Sequence, residues 1–206
     1  MFVAVPIEIR QVRASNILPT ANSVLVAINV IVFGLGVTSN WHIGPGQAWW
    51  SVLSYGFTHA SAWHLIGNMY VLLLIGNPVN RRLGNAYYAL AYCGTIVAMG
   101  LLGWLSGLGP LMGSSGAIFA VVAMFILLMP AAIVKLSYLA LFPVSLLVGL
   151  INKPDEWLEW FFRYGTFHVR AWWTVMIVPL IELWGLFWWR IALGAWESNH
   201  LSHLIG

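Results

Sequence analysis

Gly113-Ser114-Ser115-Gly116-Ala117-Ile118-Phe119 opens the apolar run that ends near Met129, and its first four residues decide how the whole chain is read. Serine flanked by glycines at the head of a hydrophobic segment has two meanings. Small residues let helices approach closely inside a bilayer, which makes the cluster helix-packing glue. A serine at the first turn of a helix also sits among unpaired N–H groups at the positive end of the dipole. A developing oxyanion is stabilised there, which makes the serine a nucleophile. The glycines suit both readings, since they permit a tight turn and close backbone approach.

The composition around this motif is that of a membrane protein. Hydrophobic residues make up 61% of the 206 and charged residues 7%, whereas a soluble domain carries about 25% charge. Thirteen Trp and seven Tyr suit a membrane–water interface. The net charge of +3 is small and scattered, so nucleic acid is not an expected partner. Cys93 stands alone in an apolar run, which excludes an internal disulfide and makes it a small core residue. The N-terminal stretch, with Glu8, Arg10, Arg13 and Pro19, lacks the pattern of a cleaved signal, so the first hydrophobic segment is read as retained.

Hydrophobic spans are expected over Ser23–Val37, His59–Gly76, Ala86–Leu105, Ser115–Met129 and Trp172–Trp189. A sixth begins near His200 and is truncated at Gly206. Between the first two, Ser39–Thr58 is uncharged and rich in Trp and Gly, which suggests a structured interfacial loop. Arg81 and Arg82 mark a basic turn over Asn77–Gly84. Lys135–Ile151 is apolar but interrupted by Pro143, and the charged stretch Lys153 to Arg170 follows. Basic residues flank alternate connections, so the positive-inside rule puts the N-terminus in the cytoplasm and both uncharged loops outside. The chain is therefore read as one membrane domain over 1–206, with 1–20 a cytoplasmic segment and 135–170 an insertion on the cytoplasmic side. If 135–151 stays on that side, His203 enters from the outer face. If it crosses, His203 falls on the cytoplasmic side, far from Ser115.

Two further clusters carry chemistry. His64 and Asn68 are four residues apart, so they share one helix face, with His59 just before them. Polar groups in a span face the protein interior, where they serve interhelical hydrogen bonding or function. No Cys or carboxylate accompanies these histidines, so a metal site is not expected. His203-x-x-Gly206 pairs a histidine, the usual general base for a serine nucleophile, with a glycine one turn on that admits a neighbouring helix. His200 shares that face and is a rival. Glu182, inside the fifth span, is read as an interior hydrogen-bonding group.

Together, His59-x4-His64-x3-Asn68, Gly113-x-Ser115-Gly116 and His203-x-x-Gly206 resemble the motifs of the rhomboid family of intramembrane serine proteases, in the family's order. The Trp-rich first loop and Leu83-Gly84 fit as well. The resemblance is close over about Pro19–Met129 and looser over Trp172–Gly206. It implies an all-α, six-helix membrane bundle in which Ser115 attacks a carbonyl and His203 takes its proton without a third carboxylate. By the same resemblance His64, Asn68 and the Ser115 N–H form the oxyanion hole, and His59 bonds within the first loop. Phe119 would stack on the catalytic histidine, and Gly113, Gly116 and Gly206 would allow close packing. No cofactor is implied. The implied partners are the lipid bilayer and transmembrane protein substrates, and the chain is assigned to a bacterial cytoplasmic (inner) membrane. Trp50-Ser51 replaces the family's Trp-Arg pair, and Asn80 replaces a Glu, which leaves Arg82 without that carboxylate. These departures keep a second function open: a non-catalytic rhomboid-like subunit that packs against partner helices in a membrane complex.

Overall fold

The structure is a computed structural model that describes residues 2–10, 16–37, 41–43, 47–106, 111–142, 144–151 and 160–173. Its body is a bundle of apolar helices. Helix α1 (Thr20–Gly34) turns Asn22, Leu25, Asn29 and Val32 inward at helical spacing and exposes Val24, Ile28 and Ile31. The short α2 (Ser51–Ser54) runs into a 3-10 turn, Tyr55–Phe57. Helix α3 (Ala62–Val71) passes through a π-helical stretch, Leu72–Gly76, into α4 (Asn77–Leu83). The basic turn expected over Asn77–Gly84 is thus mostly helix, and Gly84 ends it at φ +83°. Helix α5 (Asn85–Ser106) and helix α6 (Ser115–Leu128) complete the bundle.

Among the described residues, α5 is the one helix both long and apolar enough to cross a bilayer, while α1 and α6 are shorter apolar helices. Exposed Leu90, Leu101, Leu105 and Leu127 suit lipid rather than water. The interior seam of α5 (Tyr88, Tyr92, Ile96, Met99, Gly103) meets Val121 and Phe125 of α6 in one core. The first loop docks tightly on this seam. A Cβ at Gly100 would lie 2.3 Å from the Val52 carbonyl oxygen, so only glycine lets α2 settle there.

The expectation of an all-α chain does not hold. Strand β2 (Ile133–Leu141) is the centre of a three-stranded antiparallel sheet of order β1-β2-β3. Its neighbours are β1 (Phe2–Arg10) and β3 (Phe162–Arg170). Helix α7 (Val144–Ile151) follows β2, so 135–151 is a strand and a short helix rather than one apolar segment. β1 pairs from Phe2↔Ala140 to Arg10↔Ile133, with a register shift between Pro6 and Glu8. Proline lacks the N–H a ladder needs, and it is tolerated here because β1 is an edge strand at a bulge. Val134, Leu136 and Ala140 turn inward, and the first two join the core of the bundle. The Tyr70 hydroxyl donates to the Pro6 carbonyl, which ties the sheet to α3. On the exposed face, Glu8 pairs with Arg10 at 3.0 Å and lies 3.9 Å from Lys135.

The other end of α3–α4 is fastened by a buried asparagine network. The Asn22 side-chain nitrogen donates to the Leu72 carbonyl and to Asn77 Oδ1, both at 2.8 Å. Its Oδ1 accepts from the Tyr88 hydroxyl at 2.6 Å, and its backbone N–H donates to Asn80 Oδ1 at 2.9 Å. Asn80 then donates to Asn85 Oδ1 at 2.9 Å, which also accepts from the Ala21 N–H at 3.1 Å. Asn80 is therefore the buried joint of α1, α4 and α5, a role that its reading as a lost carboxylate did not foresee.

Candidate active site

Local sequence sets where α3 begins. The Ser61 side chain accepts from the His64 N–H at 3.2 Å, a normal N-cap that starts the helix three residues before His64. One turn on, Asn68 lies on the same face, and both side chains are half-buried.

The start of α6 is built from the opposite side. The Gly113 N–H donates to the Tyr55 carbonyl at 2.9 Å, and Ile43 and Leu111 exchange two backbone hydrogen bonds at 3.1 Å. Gly113 has φ +107°, a region that L side chains rarely adopt. A Cβ there would sit 2.8 Å from His64 Cε1 and 3.1 Å from its Nε2. Two independent constraints therefore demand glycine: the turn, and the His64 ring seated on it. Ser115 is the first residue of α6, 8% exposed, and lines a small recess with Gly116, Tyr55, Met99 and Leu111. Phe119, one turn further, is half-buried.

His59 is fully buried; besides the Phe57 backbone of the first loop, it meets side chains of α3 and of the head of α6. Its Nε2 lies 3.0 Å from Asn68 Nδ2 and 3.4 Å from Ser114 Oγ. The ring meets His64 edge-on at a centroid distance of 5.0 Å. Its Nδ1 is buried without a well-formed hydrogen bond, although the Phe57 backbone acts on the ring as an acceptor. Tyr92, whose hydroxyl is buried, adjoins Ser114 and Asn29, so polar groups run from α1 through α5 to the head of α6.

The structure thus brings together His59, His64, Asn68, Gly113, Ser115 and Gly116. His203 and Gly206, with His200 and Glu182, lie outside the described residues. The motif Gly113-x-Ser115-Gly116 leaves Ser114 without a role, and sequence reasoning missed its contact with His59. The adjacency of two serines was the one available signal. Ser51, which replaces an arginine, is fully buried with its hydroxyl unpartnered.

The rhomboid domain family matches residues 46–154, more than half of the chain. Rhomboid protein 1, mitochondrial, of Saccharomyces cerevisiae is 33% identical over 101 residues. That match covers 46% of this chain and 28% of the relative, so the chain spans well under two thirds of that protein's length.

Proposed function

This chain belongs to the rhomboid family of polytopic helical membrane proteins, and from that premise we propose that it is an intramembrane serine endopeptidase using Ser115 and His203. The observation that carries the proposal is the seating of Ser115 on the first turn of α6, directly after a Gly113 turn against which the His64 ring is packed.

In this mechanism Ser115 Oγ attacks the scissile carbonyl while a ring nitrogen of His203 takes the hydroxyl proton. The carbonyl π electrons move to oxygen. That oxyanion is met by the Ser115 N–H at the positive end of α6 and by His64 and Asn68 from α3. Collapse expels the amine, which takes its proton from His203, and water then releases the acyl group by the same two steps. An apolar surround strengthens each of these electrostatic contacts. Ser115 stands on the first turn of α6 and His64 on the first turn of α3, with Asn68 one turn further along the same face.

We place the fifth and sixth spans in 172–206, which completes a six-helix bundle, and treat 1–206 as one domain. We assign the N-terminus to the cytoplasmic face of a bacterial inner membrane, with 1–20 and 135–170 on that face. Basic residues at Arg10, Arg81, Arg82, Lys135 and Arg170 support this side. The sheet supports placing both segments on one common side: β1 and β2 pair with four hydrophobic helical passages between them, and an even number of crossings returns a chain to its starting side. Substrates are membrane proteins with a single span carrying small or helix-breaking residues near the outer interface, because a helix must unwind to expose its carbonyl.

The test is cleavage of a single-span reporter by the purified protein in detergent. Cleavage lost in Ser115→Ala and in His203→Ala is the expected result. No cleavage, together with no labelling by a fluorophosphonate, would replace this reading with that of a non-catalytic membrane subunit.

A further inference from the structure

We propose that His59 and Ser114 form a positioning pair that aims the Asn68 amide and keeps the head of α6 uncapped, an inference that rests on the peptidase reading and deepens it.

The placement of the Asn68 amide sets the direction of the contact. Its nitrogen faces His59 at 3.0 Å, and an amide nitrogen only donates, so Nε2 is the acceptor. The ring is then neutral, with its proton on Nδ1. The Ser114 hydroxyl, 3.4 Å from the same Nε2, is likewise a donor. The imidazole is fully buried and held edge-on against His64, so the acceptor has little room to swing.

Two consequences follow for the reaction. An asparagine amide is planar and rotates in a broad well. Committing one of its two N–H groups to His59 sets the direction of the other, which is the one left for a substrate oxyanion. The second consequence concerns α6. A serine at an N-cap ordinarily turns its oxygen back onto the first-turn N–H groups, as Ser61 does at the head of α3. Ser114 occupies the N-cap of α6 yet makes no such bond. Its hydroxyl is directed to His59, so the Gly116 and Ala117 N–H groups that an N-cap oxygen would take keep their positive field beside the Ser115 N–H. Both effects are preorganisation: donors are oriented before charge develops.

His59 is therefore a positioning residue acting through Asn68, and a double-mutant cycle separates this role from a merely structural one. In the full-length protein, with a single-span reporter substrate in bicelles, His59→Leu removes the acceptor. We expect kcat to fall by at most the loss caused by Asn68→Ala, which is about 10²–10³-fold for one oxyanion donor, with KM little changed. The double variant H59L/N68A should be no worse than N68A alone. His59→Gln, whose Oε1 can accept near the Nε2 position, should recover much of the lost kcat. Losses that multiply, or a glutamine variant no better than leucine, would overturn the proposal. A second measurement is independent of both folding of the variants and peptidase activity: ¹⁵N-histidine NMR of the wild-type protein. A bare Nε2 with the proton on Nδ1 is expected, and a protonated Nε2 would overturn the proposal. If wild-type protein does not cleave the reporter, the peptidase reading fails, while the tautomer still decides how His59 holds Asn68.

Discussion

Two buried polar clusters stand in one apolar bundle, and they are built to opposite rules. At the end where α1, α4 and α5 meet, Asn22, Asn77, Asn80, Asn85 and Tyr88 satisfy one another almost completely. At the end where α3 and α6 begin, His59, Ser114 and Tyr92 share few acceptors, and the His59 Nδ1 and Tyr92 hydroxyl lack well-formed bonds. A saturated network has no capacity left for a ligand, and its loss is felt as instability. An undersaturated one is costly to bury and is retained where something else completes it. The difference gives cohesion to the asparagines and, on the proposed peptidase reading, chemistry to the histidine–serine end.

Substitutions can break this division. The largest effect belongs to Ser115→Ala, which should lower reporter cleavage by at least about 10³-fold while leaving the thermal melting curve in detergent in place. Next is Gly113→Ala. Its methyl group would clash with the His64 ring and strain a positive φ, so kcat should fall about 10–100-fold for a displacement costing about 1–3 kcal/mol. Asn22→Ala reverses the pattern. It strands Asn77 Oδ1, the Leu72 carbonyl and the Tyr88 hydroxyl, and should destabilise by about 1–3 kcal/mol with kcat of the folded fraction within a few-fold of wild type. A catalytic collapse in Asn22→Ala without loss of stability would erase the distinction between the two ends. The smallest effect is expected at the sheet. The Glu8 carboxyl is held below its usual range by its hydrogen bond to Arg10 and by the charge of that guanidinium. Its contribution is thus present above the unfolded carboxylate pKa and disappears as pH falls through the lower folded value. Because the pair is exposed, Glu8→Gln should leave the melting temperature unchanged at neutral pH.

What was legible in the sequence follows how locally each element closes its hydrogen bonds. Apolar helices satisfy their own backbone, so hydrophobic runs placed α1, α5 and α6 within a few residues of their ends. β2 was hidden because its partners lie far away in the chain, with Phe2 on Ala140 and Phe162 on Leu141. Its alternation was also masked by an almost uniformly apolar sequence. At the site, spacing sufficed for His64 and Asn68, which share one helix face. It could not reveal that His59 reaches Ser114 across 55 positions. Asn80 was visible only as a missing charge, since its worth lies in neighbours from two other helices.

The π-helical stretch Leu72–Gly76 acts as a phase adjuster between the two ends. Asn22 intercepts the Leu72 carbonyl inside it, and each residue of an α-helix advances the face by about 100°. Deleting one residue from this stretch would restore regular winding and turn His64 and Asn68 about a quarter-circle away from the head of α6, with the asparagine joint still fastened. The face of α3 that carries His64 and Asn68 is aimed, in effect, from the far end of its own helix.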